Sequence, residues 1–261
     1  MTTAAHPAPT ASQAPAADHG FFVYPTMSPA FIDMVKRCMP CTMTTPARQF
    51  ALHKAVHHIV AAGITGDYVE CGVWRGGASM MAALTFLEAG DTARTLWLYD
   101  TYAGMPRPTD HDARIKVDGS GHGRITMDKW LAEQRDGFNN WCYASLDDVT
   151  ANMRSTGYPT ERLRFIRGMV EHTIPATIPE RIALLRLDTD FYESTLHEMR
   201  HLYPRLAPGG VLIIDDYGVW RGSKLAVDEY LREIGEPLLL TSVDETAVVA
   251  VKPVNSKAIA A

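Results

Sequence analysis

Four scarcities narrow the field before any motif is read. Only four cysteines occur in 261 residues, too few for the disulfide scaffold on which small secreted domains depend. No run approaches the ~18 apolar residues of a membrane-spanning helix. The opening stretch, MTTAAHPAPTASQAPAADHG, lacks the basic and apolar regions of a signal peptide. Basic charge is scarce as well: 25 Lys and Arg stand against 30 Asp and Glu, a net charge of −5. The chain as a whole therefore offers no electrostatic footprint for nucleic acid or an anionic membrane. A cytoplasmic location is expected. What remains is an ordinary globular composition, 46% hydrophobic and 21% charged, long enough for a sizeable core. Residues 1–20, mostly Ala, Pro, Thr and Ser, read as a disordered tail. Residues 21–261 read as a single domain.

Helical signals come first. Ser28-Pro29 and Thr45-Pro46 each pair an N-cap residue with proline at the first helical position. PARQFALHKAVHHIVAAG then carries apolar residues at helical spacing and closes at Gly63, so residues 21–63 form a helical extension. From there strands alternate with helices: DYVECG, TLWLYD, RLRFIRG, RIALLRLDTD and GGVLIIDDY are read as strands, each nearly continuously apolar. That pattern predicts an α/β fold, a mostly parallel sheet covered on both faces. PLLLTSV and TAVVAVKP read as a closing hairpin that adds one antiparallel strand to the edge. Residues 103–140 read as a variable loop, irregular apart from one helix near Met127–Gln134. Ser145 with Asp148 marks the start of another helix. Ligands of such sheets bind beyond the carboxyl ends of the strands.

The glycine-rich turn VECGVWRGGAS selects among cofactors. A dinucleotide fingerprint would read G-x-G-x-x-G. Here Glu70 precedes the first glycine and the spacing of Gly72, Gly76 and Gly77 is wider. A pyrophosphate is poorly served by a carboxylate at that entrance. S-adenosylmethionine, with a sulfonium, an ammonium and no phosphate, suits it, and its carboxylate could use the helix N-terminus. Trp74 and Ser79 belong to the same turn and the helix it opens; Trp74 either flanks the methionine part or packs. Asp100 ends the next strand, where an acid can accept from both ribose hydroxyls. The alternative for Glu70 and Asp100 is a pair of solvated strand-end charges.

A second acidic group follows. The strand ALLRLDTDF ends in Asp188 and Asp190, and its neighbour GGVLIIDDY in Asp215 and Asp216. Four carboxylates at adjacent strand ends repel and raise one another's pKa values. A hard divalent cation relieves this, Mg²⁺ ahead of Mn²⁺ or Ca²⁺. Mg²⁺ also lowers the pKa of a hydroxyl bound to it. Asp188, Asp215 and Asp216 are the expected ligands, with Asp188 also the proton acceptor. Asp190 is read as the N-cap of a helix beginning at Phe191.

These segments together resemble the macrocin/mycinamicin-type sugar O-methyltransferase family. The matching stretches are TMTTPARQFAL, GDYVECGVWRGGAS, LYDTYAGMP, LRLDTDFYEST, YPRLAPGG and IIDDY, between about Thr42 and Tyr230. The resemblance implies a Rossmann-like class I methyltransferase sheet of seven strands, dependence on S-adenosylmethionine and Mg²⁺, and metal binding by Asp188, Asp215 and Asp216 with Asp188 as general base. It also implies a homo-oligomer in which the N-terminal helices assist assembly or closure. The acceptor is expected to be a sugar or glycosylated small molecule, with a vicinal diol to fill two open metal positions. The loop RPTDHDARIKVDGSGHGRITM departs from the antibiotic-sugar enzymes, so the reaction class transfers and the acceptor does not. A catechol-type phenol is the runner-up acceptor. From other classes, a dinucleotide-dependent oxidoreductase and a non-catalytic interaction protein remain as rivals.

Smaller features have plainer readings. Cys38 and Cys41 form C-x-x-C without a second ligand pair and read as ordinary thiols. His53 and His57 share a helix face but lack a third ligand. His111 and His122 fall in the variable loop, within reach of a substrate. Tyr217 and Trp220 either wall the acceptor pocket or pack.

Overall fold

The computed structural model describes residues 26–115 and 123–254, the side chains of residues 123–125 excepted. The tail expected over residues 1–20 and His122 lie outside the described residues. Two helices open the fold, α1 (Pro29–Cys38) and α2 (Pro46–Ala61). Each begins as its sequence indicates. Ser28 Oγ accepts from the Phe31 amide at 3.1 Å, and Thr45 Oγ1 accepts from the Arg48 amide at 3.2 Å. A proline follows each cap, where its missing N–H leaves nothing unpaired.

Strands and helices then alternate: β1 (Asp67–Cys71), α3 (Gly77–Glu88), β2 (Leu96–Asp100) and α4 (Gly123–Ala132), then the small hairpin of β3 (Gln134–Arg135) and β4 (Phe138–Asn139). After these come α5 (Leu146–Ser155), β5 (Leu163–Arg167), the single turn α6 (Val170–Thr173), β6 (Ile182–Leu187) and α7 (Tyr192–Leu202). The chain closes with β7 (Leu206–Ile214), α8 (Arg221–Ile234), β8 (Thr241–Ser242) and β9 (Val248–Val251). Seven strands form one sheet in the order β5-β2-β1-β6-β7-β9-β8. The first five are parallel, and β9 is antiparallel to both of its neighbours.

Alternation along the strands divides the core between the two faces. Tyr68, Leu98, Leu184 and Ile213 point to one, where Phe31, Val56, Met81 and Phe86 of α1, α2 and α3 cover them. Val69, Tyr99, Leu185 and Leu212 point to the other, under Met199 and Leu202 of α7 and Val227 and Tyr230 of α8. β6 is buried along its whole length, as a central parallel strand must be. Burying such side chains contributes roughly 1.5–3 kcal/mol each. Chain direction across the sheet reverses between β1 and β6, so a crevice opens at their carboxyl ends.

Two expectations need correction. The closing hairpin does not add its antiparallel strand at the edge. β9 lies inside, against β7, and the two-residue β8 takes the edge. The burial pattern explains the choice: Val248 and Ala250 are buried, whereas Thr241 and Ser242 are exposed and Leu239 stays 82% exposed. A short polar strand is the safer edge. In the described part of residues 103–140 the expected helix is α4, at Gly123–Ala132 rather than near Met127–Gln134, and the β3–β4 hairpin that follows it was not expected.

Candidate active site

The crevice holds a cavity of about 750 Å³, walled by the turns that follow β1, β2, β6 and β7. Gly72 lines it at φ 83°, where a Cβ would lie 1.9 Å from the Asp188 carbonyl oxygen. Only glycine lets the turn after β1 run this close to the turn after β6. Among the described residues four non-glycines adopt positive φ: Trp74, Tyr102, Cys142 and Asp190. Trp74, Cys142 and Asp190 line the cavity, and Tyr102 adjoins the lining residue Thr101. Backbone strain of this kind gathers where a site overrides local preference.

Of the residues expected to hold a cofactor, Glu70, Gly72, Trp74 and Asp100 line the cavity. Gly76 and Ser79 do not. Gly76 takes φ 90° at the N-cap of α3 and faces Val149 and Met153, while the fully buried Ser79 donates to Glu70 Oε2. Asp100 organises the glycine turn. Its Oδ2 accepts from the Val73 and Trp74 amides at 2.7 and 3.0 Å, and its Oδ1 accepts from the Tyr102 amide at 2.7 Å. Thr101 directs its hydroxyl proton to the Gly104 carbonyl at 2.7 Å, which leaves Oδ1 an acceptor direction for a ligand.

The acidic group is built around a residue that the sequence reading passed over. Arg186, 3% exposed, stands in register beside Glu70 on the neighbouring strand. It donates to Glu70 Oε1 and Asp188 Oδ2, both at 2.6 Å, and to Asp215 Oδ1. Asp215 Oδ2 is met by Arg48 of α2, which lies 3.1 Å from Asp244. The protein therefore supplies two guanidiniums of its own, and a metal ion is not the sole counter-charge. Glu70, Asp188, Asp190, Asp215 and Asp216 nonetheless line the same cavity. Burial pushes the Asp188 carboxyl well above the usual range, and Asp215 and Asp216 add to this against the opposing pull of Arg186. Burial, then Asp190 and Asp215, raises Asp216 likewise. Ligand atoms of Asp188, Asp215 and Asp216 all lie within 4.8 Å of one another. This donor set, oxygen only and short of positive charge, fits a hard divalent cation. Asp188 remains 25% exposed, and its Oδ1 accepts from no described residue.

The chain matches the macrocin O-methyltransferase (TylF) family over residues 36–252. It belongs to that family. A tetracenomycin-type rhamnosyl 4'-O-methyltransferase of Streptomyces olivaceus is 35% identical over 207 residues, covering 79% of this chain and 74% of that protein. Mycinamicin III 3''-O-methyltransferase of Micromonospora griseorubida is 34% identical over 211 residues, covering 79% and 76%. The O-methyltransferase NovP superposes with a TM-score of 0.68 at 30% identity, covering 82% of each chain. The protein is thus an O-methyltransferase with the seven-stranded methyltransferase sheet.

Within this family member several side chains act differently from expectation. Asp190 does not cap α7. It sits at φ 64°, donates its amide to Asp216 Oδ2 at 3.3 Å and lines the cavity. Phe191 holds the N-cap position without a side-chain bond, and the Tyr192 amide is capped at 2.7 Å by Asp112, from the loop. His111 packs on Tyr192, ring centroids 4.6 Å apart, outside the cavity lining. Trp220 walls the cavity, whereas Tyr217 turns away to Asp228. Cys38 and Cys41 are buried free thiols, consistent with ordinary packing. The pair His53 and His57 does acquire an acidic neighbour, Glu88 of α3. His53 Nδ1 is already 3.0 Å from Thr85 Oγ1, whose proton goes to the Met81 carbonyl. That nitrogen therefore carries the hydrogen and offers no lone pair. Among the described residues no helix is long and apolar enough to cross a membrane.

Proposed function

We propose that the protein transfers a methyl group from S-adenosylmethionine to a sugar hydroxyl, with Mg²⁺ held by Asp188, Asp215 and Asp216. The observation that carries this reading is the meeting of two half-sites in one cavity: the glycine turn with Glu70 and Asp100, and the trio of carboxylates at the ends of β6 and β7. Relatives named for methylating a rhamnosyl group and mycinamicin III support a sugar or glycosylated metabolite as acceptor.

When bound, S-adenosylmethionine supplies an electrophilic sulfonium methyl and Mg²⁺ supplies positive charge that makes a sugar hydroxyl easier to deprotonate. Everything else falls to the chain. Asp100 fixes the Val73 and Trp74 amides and offers Oδ1 toward the ribose. Glu70, held by Arg186, Tyr68 and Ser79, sets a fixed negative field on the donor side. Asp188 Oδ1 takes the hydroxyl proton, a role that needs its open face toward the cavity. As the proton leaves, the oxygen–methyl bond forms and the sulfur–methyl bond breaks, leaving a neutral thioether. The aromatic wall of Trp141 and Trp220, backed by Phe191 with ring centroids 5.7–6.0 Å apart, orients the acceptor and excludes water. A vicinal diol is the favoured acceptor element, because Mg²⁺ usually keeps more than one position for non-protein oxygens. The enzyme works in the cytoplasm as a homo-oligomer.

The test uses a trideuteromethyl donor with methyl α-L-rhamnoside and dTDP-rhamnose as acceptors. A mass increase of one trideuteromethyl group, abolished by chelation and restored by Mg²⁺, is the expected result. Transfer at full rate in chelator would remove the metal from the account.

A further inference from the structure

The acceptor end of the cavity carries charge that a neutral sugar does not call for. Its floor is acidic, yet two cations stand at its wall, Arg114 and Lys129. Lys129 of α4 places its Nζ 4.1 Å from the Trp141 ring centroid. The Arg114 guanidinium lies 5.8 Å from that of Trp220, and the two residues share a backbone bridge. Both cations are exposed, and among the described residues neither has a carboxylate within ion-pair distance. Tryptophan rings thus hold them in place without neutralising them.

We propose that the acceptor is a sugar bearing phosphate at its anomeric carbon, of the nucleoside diphosphate sugar class, with Arg114 and Lys129 binding the phosphates. This rests on the methyltransferase reading of the same cavity and fixes the polarity of the acceptor within it. The hydroxyl to be methylated points at the acidic floor, and the anionic end lies at the cationic wall. Arginine suits phosphate through its planar fork and lysine through its compact charge. An acceptor of this class is supplied by a nucleotidyl transfer to a sugar phosphate, and the methylated product is consumed by a glycosyl transfer. Methylation then precedes attachment of the sugar.

The rival explanation is that the two cations only offset the acidic floor. Calorimetry on the protein loaded with S-adenosylhomocysteine and Mg²⁺ separates the two, using dTDP-rhamnose, rhamnose 1-phosphate and methyl α-L-rhamnoside as probes. The proposal expects at least about ten-fold tighter binding of a phosphorylated probe than of the glycoside, near 1.4 kcal/mol. That ratio falls about ten-fold in Lys129→Ala and in Arg114→Ala, is largely kept in Arg114→Lys, and shrinks as salt rises. A difference between the two phosphorylated probes tells whether the nucleotide is read as well. Equal binding of all probes, no binding by any, or a ratio unchanged in both alanine variants overturns the proposal. A tighter Mg²⁺ site in the variants with no change of ratio is the signature of the rival. Failure of S-adenosylhomocysteine itself to bind would instead strike the underlying methyltransferase reading.

Discussion

Arg186 shows how a single side chain can hold two half-sites together. A buried guanidinium is costly unless every neighbour answers it, and here Glu70, Asp188 and Asp215 all do. Removing it leaves three carboxylates facing each other without their shared partner. Arg186→Met is therefore expected to lower stability by about 3–5 kcal/mol, read from urea unfolding, with partial recovery when Glu70→Gln is added. A loss below ~1 kcal/mol would mean that the network is dispensable. The aspartates were legible in the sequence because they break an apolar pattern at strand ends. Arg186 had a comparable signal, a lone cation between Leu185 and Leu187 two residues before Asp188 and so on the same face. Recognising its partner required the register of β6 against β1, which a single strand does not reveal. Asp190 was misjudged for a related reason. An aspartate before a helix is usually its cap, but the left-handed turn at Asp190 aims it at the cavity, and the cap comes from 78 positions earlier in the chain, at Asp112.

Elements and their connections place the half-sites. The strand-helix alternation was readable because parallel strands buried on both faces must be apolar throughout, and proline-linked caps mark helix starts. The order of β9 and β8 was not, since hairpin periodicity fixes which residues face inward but not which strand pairs with β7. The loop between β2 and α5 hides the most. Asp112 there is 1% exposed and accepts from Thr109 and Tyr192, which pins the loop to α7. It sits against Gly222 of α8, where a Cβ would come within 2.3 Å of its Oδ1. Asp112→Ala should cost about 1–2 kcal/mol, the usual price of a lost helix cap, measured by thermal or urea unfolding. It should also raise KM for the acceptor more than for the donor, since the loop carries Arg114 and leads to α4. An equal change in both constants would argue that the loop serves the whole cavity alike.

At the scale of the whole molecule, the acidic cavity links stability to pH and, on the function proposed above, to Mg²⁺. Burial raises the Asp190 carboxyl to about 7 in the folded chain, far above its unfolded value near 3.9. A raised carboxyl favours folding while it is protonated, and that contribution is lost as pH rises through about 7. Asp188 and Asp216 shift in the same direction. The metal-free protein should therefore melt several degrees lower at pH 8.5 than at pH 6.5. Mg²⁺ needs the carboxylates ionised, so its stabilising effect should be larger at pH 8.5. Melting curves at both pH values, with and without 5–10 equivalents-scale excess of Mg²⁺ over its Kd, check the sign. A metal effect that shrinks with rising pH would contradict it.

On the function proposed above, donor and metal occupy separate halves of one cavity, joined through Arg186 but bound by different groups. Calorimetric titration of S-adenosylmethionine and of Mg²⁺ into the wild type and Asp188→Asn tests it most directly. The account predicts that Mg²⁺ binding falls at least about ten-fold in the variant, while donor affinity stays within about three-fold and turnover drops 10²–10⁴-fold. Loss of donor binding together with unaltered Mg²⁺ binding would contradict it, and Asp188 would then belong to the donor half.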